Sequence, residues 1–188
     1  MIGAEFGVVL VRAQAGDETA FARLFADVQP PLLRYLRVIT PEAEDVAGDT
    51  WLHVVTGLRR FRGEEDAFRA WLFTIARHRA ADAGRSRARR PAVPLAVTEA
   101  AQGWAAGQPL APDAADLALD GISARAVVAL IATLPRDQAE VVMLRVVAGL
   151  EVADVARIVG KSPGAVRVAA HRALRRLAAH LERAGVTQ

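Results

Sequence analysis

Apolar residues recur along most of the chain at the three- and four-residue spacing of amphipathic helices, and capping residues divide them into separate elements. Asp17 predicts the start of one helix. Thr40-Pro41-Glu42 predicts a second from about Pro41, with Thr as the cap and Pro in the first turn. Gly63-Glu64-Glu65-Asp66 ends that helix and begins a third, which runs to about Ser86. Together these helices predict one helical domain.

The helical pattern stops between Pro91 and about Asp116, where Pro, Gly, Ala and Gln dominate and no regular period persists. This composition predicts a flexible linker. Periodicity returns near Leu117 and continues to Leu181, with interruptions that divide it into four short helices. We therefore expect an all-α protein with two small helical domains joined by a flexible linker, the C-terminal one a helix-turn-helix.

Composition narrows the class of protein further. The 188 residues are 53% hydrophobic but only 5% aromatic, which suits small helical bundles. The absence of cysteine excludes a disulfide framework, a thiolate nucleophile and a cysteine-ligated zinc, and fits a reducing cytoplasm. No apolar run approaches the ~18 residues of a membrane span, and Glu5 precedes any basic residue, so neither export nor membrane insertion is indicated.

Residues Val152 to Leu177 have the spacing of a helix-turn-helix, with a turn at Gly160 and a second helix that Ser162 can cap. On a helical wheel, its predicted buried face contains Val166, Ala170, Ala173, Leu174 and Leu177. The opposite face contains Val168, His171, Arg172 and Arg175. A basic face suits insertion into a DNA major groove, and Val168 could contact a thymine methyl. An ordinary solvated, arginine-rich face is the alternative.

The helix from Pro41 to Leu58 has an acidic side in an otherwise basic protein. Its predicted buried face contains Ala43, Val46, Ala47, Thr50, Val54 and Leu58, and its polar stripe contains Glu42, Asp45, Asp49 and His53. Acids in the first turn are favoured by the helix dipole. Asp49 lies beyond that turn, which favours a basic protein partner.

The third helix ends in a dense basic run. Phe68, Trp71, Leu72 and Ile75 form its inner side, and the basic residues that follow are Arg77, His78, Arg79, Arg85, Arg87, Arg89 and Arg90. This density predicts phosphate binding. Phe73 and Arg77 are predicted to face outward, where Phe73 could stack on unpaired bases, although a neighbouring helix could equally bury it.

Two sets of motifs carry a family resemblance. Ala43 to Leu52, Phe61-Arg62-Gly63 and Phe68 to Arg77 resemble the second conserved region of extracytoplasmic-function (ECF) sigma factors. The fourth region of that family is similar to Leu134-Pro135, Gln138, Val141 to Arg145, Gly149-Leu150, Val155-Ala156 and Gly164 to Arg167. The resemblance implies a region 2 domain at 1–91, a linker at 92–118 and a region 4 domain at 119–188.

The resemblance also implies a function. The protein would be an alternative-type sigma factor that binds core RNA polymerase, recognises promoter DNA and promotes transcription initiation. It would need no cofactor or metal, would have no catalytic activity of its own, and would be regulated by an anti-sigma factor. Asp45, Asp49, Thr50, Trp51 and His53 would dock on the clamp helices of the largest polymerase subunit. The −10 element would be engaged by Phe61, Arg62, Gly63, Phe73, Arg77 and His78, and the −35 element by Ser162, Arg167, Val168, His171, Arg172 and Arg175.

Departures from the family pattern limit this transfer. Gly48-Asp49 replaces a common Gln-Glu pair, Ala139 replaces a frequent Arg, and Glu151 stands where Ser or Thr usually caps a helix, so a looser helix start is expected there.

Two other functions remain as alternatives. A stand-alone helix-turn-helix regulator leaves the N-terminal domain without a role. A nuclease or phosphotransferase with magnesium on Glu44, Asp45 and Asp49 lacks a phosphate-binding loop, a general base and a second acidic cluster.

Overall fold

A computed structural model describes residues 1–89 and 121–183, and the regular secondary structure of these residues is entirely helical. The N-terminal part contains a short 3₁₀ turn (Gly3–Glu5), α1 (Phe6–Gln14), α2 (Glu18–Ile39), α3 (Ala43–Leu58) and α4 (Glu65–Arg89). The C-terminal part contains α5 (Gly121–Ala132), α6 (Arg136–Val142), a π-helical turn (Met143–Val147), α7 (Val152–Val159) and α8 (Pro163–Arg183). The all-α expectation is confirmed. The predicted linker lies outside the described residues.

The helix ends follow the capping residues closely. Asp17 Oδ1 accepts a hydrogen bond from the Ala20 amide at 3.0 Å, and Ser162 Oγ accepts one from the Ala165 amide at 3.2 Å. Gly160 ends α7 with φ of 68°, a left-handed conformation that favours glycine. Helix α3 begins two residues after the predicted Pro41, because Thr40 Oγ1 accepts the Glu42 amide at 3.3 Å and so extends the cap.

Helix α2 is the centre of the N-terminal domain. Leu24, Val28, Leu32, Tyr35 and Leu36 are almost completely buried against the neighbouring helices. The helix continues through Pro30 and Pro31, although proline removes a backbone donor and normally interrupts a helix. The apolar residues on both sides of the prolines are buried in one core, and this burial favours a continuous helix.

The two domains pack against each other. Helices α2 and α4 of the N-terminal domain contact α6, the π-helical turn and α7 of the C-terminal domain. Several of these contacts are polar, including a hydrogen bond from Arg136 to the Ile39 carbonyl at 3.2 Å.

None of the helices in the described ranges is long and apolar enough to cross a bilayer.

Candidate nucleic-acid and protein interfaces

The acidic stripe on α3 is accessible. Asp45, Asp49 and His53 are exposed, and no hydrogen bond or ion pair to the Asp45 or Asp49 carboxylate occurs within residues 1–89 and 121–183. Both carboxylates line a shallow cleft between α3 and the end of α4, together with Ser86 and Arg87. Arg87 is paired with Glu42 at 2.8 Å, which leaves the other two acids available to a basic partner.

Two residues predicted to dock on the polymerase are buried. Thr50 is fully buried, and its hydroxyl donates to the Val46 carbonyl at 2.7 Å. Trp51 is 7% exposed, and its indole N–H donates to Gln29 at 2.7 Å. Phe25 packs on the Trp51 ring with centroids 4.8 Å apart. In this structure neither side chain is accessible to a partner: Thr50 bonds within α3, and Trp51 packs against α2.

Sequence reasoning missed two apolar residues beside the stripe. Leu52 is 66% exposed and Val55 is 53% exposed. Leu52 lies seven residues after Asp45 and therefore continues the same helical face. The sequence signal that could have revealed this was an apolar residue, Leu52, at a position of the otherwise polar stripe. A protein partner that meets Asp45 and Asp49 would also cover Leu52.

The loop between α3 and α4 is stiffened by aromatic packing. The partly buried Phe61 stacks on Trp71 with centroids 5.1 Å apart and meets Phe68 edge-on at 5.5 Å. Gly63 has φ of 151°, and a Cβ there would lie 3.0 Å from Ala67 Cβ, so glycine is favoured on both grounds. Arg62 is exposed and donates to the Arg59 and Phe61 carbonyls. Of these loop residues, Arg62 and Gly63 are the accessible ones.

The predicted outward position of Phe73 is wrong. Its side chain has no exposed area and meets Tyr35 edge-on at 5.4 Å. Arg77, one turn later, is partly exposed, and its Nε donates to Glu140 of the C-terminal domain at 2.8 Å. The physical reason is that α4 is covered on two sides, by its own domain and by the C-terminal domain. His78 is exposed, as a base-contacting residue requires.

The basic run at the end of α4 is partly neutralised. Arg85 pairs with Asp82 at 2.5 Å, Arg79 lies 3.8 Å from the same carboxylate, and Arg87 is held by Glu42. Exposed pairs of this kind are weak and exchange readily for phosphate. The run therefore keeps a net positive charge that can bind phosphate, but this charge is smaller than the number of basic residues indicates.

Helix α8 presents the predicted base-reading face to solvent. Arg167, His171, Arg172 and Arg175 are exposed and Val168 is 48% exposed, while Val166 and Ala173 are fully buried on the opposite side. Leu174 is an exception. It is 54% exposed, so its predicted burial is wrong; at 100° per residue it lies about 80° from Val166, at the edge of the buried face, whereas Leu177 still packs against the core.

Lys161 fixes the turn of the helix-turn-helix. Its Nζ lies 2.5 Å from Asp137 of α6, and the hydrogen bond from Lys161 lowers the pKa of Asp137. The expected weak cap at Glu151 is also present, since its side chain makes no capping hydrogen bond to α7. The entry to the first helix of the motif is therefore less restrained than the entry to the second.

Glu44, one of the three proposed magnesium ligands, pairs with Arg37 at 3.0 Å. In the part of the chain that the structure describes, no group of three or more His, Cys, Asp or Glu side chains is placed to hold a metal ion.

Comparisons with known proteins identify the family of both domains. Residues 24–90 match the family described as Sigma-70 region 2, and residues 124–177 match Sigma-70, region 4. The chain is 36% identical to the ECF RNA polymerase sigma factor SigD of Mycobacterium tuberculosis, over 98% of this chain and 88% of that protein. It is also 36% identical to the ECF RNA polymerase sigma factor ShbA of Streptomyces griseus, over 94% of this chain and 95% of that protein.

Solved structures show the same fold. The complex of CnrH with the cytosolic domain of CnrY matches at 25% identity and a TM-score of 0.58, with 93% of this chain and 96% of that chain covered. The sigma factor RpoE of Bartonella quintana, in complex with the anti-sigma factor NepR, matches at 23% identity and a TM-score of 0.64, over 89% and 98% of the two chains.

Two sigma-70 regions in one chain define a bacterial-type sigma factor, a DNA-binding regulatory protein. The chain belongs to the ECF family of RNA polymerase sigma factors, and it directs transcription initiation as an alternative sigma factor. The match to region 2 accounts for the N-terminal domain, which a stand-alone helix-turn-helix regulator leaves unexplained.

Proposed function

We propose that this sigma factor divides its contacts between three surfaces. The stripe of Asp45, Asp49 and His53, extended by Leu52, docks on core polymerase. The −10 element meets Arg62, Gly63, Arg77 and His78. The −35 element meets the exposed face of α8, formed by Arg167, Val168, His171, Arg172 and Arg175, with Ser162 at the start of the helix. The corresponding units are a region 2 domain at 1–91, a linker at 92–118 and a region 4 domain at 119–188.

The observation that carries the proposal is the two-sided character of α8. Val166 and Ala173 anchor it in the domain, while its basic side chains and Val168 share the solvent side. Such a helix can enter the major groove with base-reading atoms outward. Asp45 and Asp49, exposed on α3, supply an acidic surface for a protein partner at the other end of the same chain.

The partners and the place of action follow from this function. Core RNA polymerase and promoter DNA are in the bacterial cytoplasm, so we assign the protein there, associated with the nucleoid when it is bound to polymerase. An anti-sigma factor is the regulator that the family resemblance implies. Consistent with it, the related CnrH is bound to the cytosolic domain of a second protein. The protein is expected to have no catalytic activity of its own.

A transcription assay on a promoter library tests the proposal. Core polymerase of the source organism is mixed with the purified chain and with DNA fragments in which the −10 and −35 elements are randomised. Enrichment of defined sequences at both elements is expected. Enrichment at neither element, or no transcription above core polymerase alone, would reject the function.

A further inference from the structure

The segment of residues 2–14 holds both ends of the loop that joins α3 to α4. This loop, residues 59–64, is called the −10 loop below because it carries Arg62 and Gly63. Gln14, the last residue of α1, bonds to the side of the loop that leaves α3, and the start of the segment bonds to the side that enters α4. These contacts join residues that are 44 or more positions apart in the chain.

Gln14 bonds to the backbone where α3 ends. Its Nε2 donates to the Leu58 carbonyl and to the Phe61 carbonyl, each at 2.9 Å. Because both acceptors are carbonyl oxygens, the amide nitrogen with its two hydrogens must face them. The last carbonyls of a helix lack their usual donor from the next turn. A donor from another helix therefore fixes the path of the backbone between Leu58 and Phe61.

Glu65 makes the second attachment, at the first residue of α4. Its Oε1 accepts the Ile2 amide at 2.9 Å, and its Oε2 accepts the Gly3 amide at 2.7 Å. The Glu65 side chain is 13% exposed, and hydrogen bonds to a charged acceptor at low exposure are among the strong ones. The −10 loop is thereby tied at both ends to one continuous segment.

Gln14 acts on the loop through its backbone. The side chains of the loop add a separate restraint, since Phe61 stacks on Trp71 and a Cβ on Gly57 would lie 2.8 Å from the same ring. Gln14 itself is partly buried, and the two bonds that it donates go to main-chain carbonyls. Any effect of Gln14 on DNA is therefore indirect, because it sets the position of the backbone that carries the DNA-contacting residues.

We propose that the segment of residues 2–14 is a clamp that holds the −10 loop in its binding conformation, with Gln14 as the positioning residue at the α3 end. A loop that is already ordered loses less conformational entropy when it captures unpaired DNA, so the clamp favours promoter opening. The inference rests on the proposed function in one respect, the assignment of Arg62 and Gly63 to the −10 element.

Hydrogen exchange of the full chain, followed by mass spectrometry of its peptides, measures how firmly the loop is held. The Arg60 and Phe61 amides donate to the Gly57 and Leu58 carbonyls, so they report on the loop directly. Gln14→Leu keeps a similar side-chain size but removes both donors, and we expect these amides to exchange about tenfold faster. Unchanged exchange in the buried helix α2 shows that the fold is intact.

Three further variants separate donation from general packing. Gln14→Lys restores donors at the negative end of α3, and a cavity of about 300 Å³ beside Gln14 has room for the longer side chain, so exchange as in the unmodified chain is expected. Glu65→Gln weakens the other attachment and should speed exchange in the loop about threefold. Glu5→Gln is the control, because Glu5 lies on the same segment but pairs with Arg23 of α2 at 2.5 Å.

Promoter opening gives the second readout, on a DNA fragment enriched in the library assay described above. Gln14→Leu is expected to open about tenfold less of this fragment at unchanged closed-complex formation, while Gln14→Lys and Glu5→Gln open it as the unmodified chain does. Unchanged loop exchange in both Gln14→Leu and Glu65→Gln overturns the proposal, and so does faster exchange without loss of opening, or an equal loss in Gln14→Lys. If exchange changes as expected but the unmodified chain enriches no fragment, the clamp is upheld and the proposed function is rejected.

Discussion

Arg77 of α4 and Glu140 of α6 form an ion pair between the two domains, with Nε 2.8 Å from Oε1. The same carboxylate accepts the Tyr35 hydroxyl. A residue that the sequence assigns to promoter DNA is thereby occupied by another part of its own chain. The other candidate surfaces, on α3 and α8, are exposed in the same structure.

Reversing the acidic stripe should weaken binding to core polymerase. We expect Asp45→Lys combined with Asp49→Lys to lower core affinity at least tenfold, because like charges then face a basic partner. Each exposed change should alter the free energy of unfolding by less than about 0.5 kcal/mol. Fluorescence titration with core polymerase measures the affinity. Glu5→Lys with Glu182→Lys is the charge-matched control, and an equal loss of affinity in that control would show that net charge alone is responsible.

Trp51 should matter for stability and not for docking. Trp51→Phe removes the indole donor to Gln29 and should lower the free energy of unfolding by about 1 kcal/mol. Core affinity should be unchanged once the protein is folded. Urea unfolding and the same titration separate the two effects. A large loss of core affinity at full stability would return Trp51 to the docking surface.

His78 should act in promoter opening. It is exposed on α4, the helix that carries Arg77, so His78→Ala is expected to reduce opening at the −10 element more than closed-complex formation. Permanganate reactivity of unpaired thymines reports opening, and a gel-shift assay at low temperature reports closed binding. His180→Ala, an exposed histidine at the far end of α8, is the control. Equal loss of both steps would assign His78 a structural role.

Val168 and Arg175 should have different roles in the −35 contact. Val168→Ser is expected to impair promoters with thymine at one −35 position, because a methyl contact is lost. Arg175→Ala should weaken all sequences alike and reduce the salt slope of binding by about 1, as loss of a phosphate contact does. Transcription across a library of −35 variants at fixed salt measures both. An unchanged profile for Val168→Ser with a reshaped one for Arg175→Ala would reassign the base-reading face.

Asp17 should make the stability of the protein fall as the pH is lowered into the acid range. The hydrogen bond from the Ala20 amide, followed by that from Arg12, lowers the pKa of Asp17 in the folded state. Its stabilisation is therefore present above the pKa of the unfolded chain and lost as pH falls through the lower folded pKa. Asp17→Asn, which can still cap, should flatten this part of the stability curve. Urea unfolding from neutral pH to about pH 3 tests it, and a curve identical to that of the unmodified chain would exclude the contribution.

The prediction was most accurate for α3 and for the helix-turn-helix. All six residues assigned to the buried face of α3, from Ala43 to Leu58, are buried, and the stripe of Asp45, Asp49 and His53 is exposed. The helix-turn-helix, its Gly160 turn and its Ser162 cap are also as predicted. These features depend on helical periodicity and on local hydrogen bonds, which a short stretch of sequence contains.

The sequence by itself determined the helices, their inner faces and the chemistry of the outward residues, because these follow from local periodicity and capping. Only the tertiary structure decided which outward residues are free. Trp51 reaches a neighbouring helix, Leu174 lies at the edge of the buried face of α8, Phe73 packs against Tyr35 of α2, and Arg77 pairs with the second domain. A contact such as Arg77 with Glu140 joins residues 63 positions apart in the chain. The periodicity of a single helix cannot predict such a contact, because the contact depends on how the two domains pack against each other.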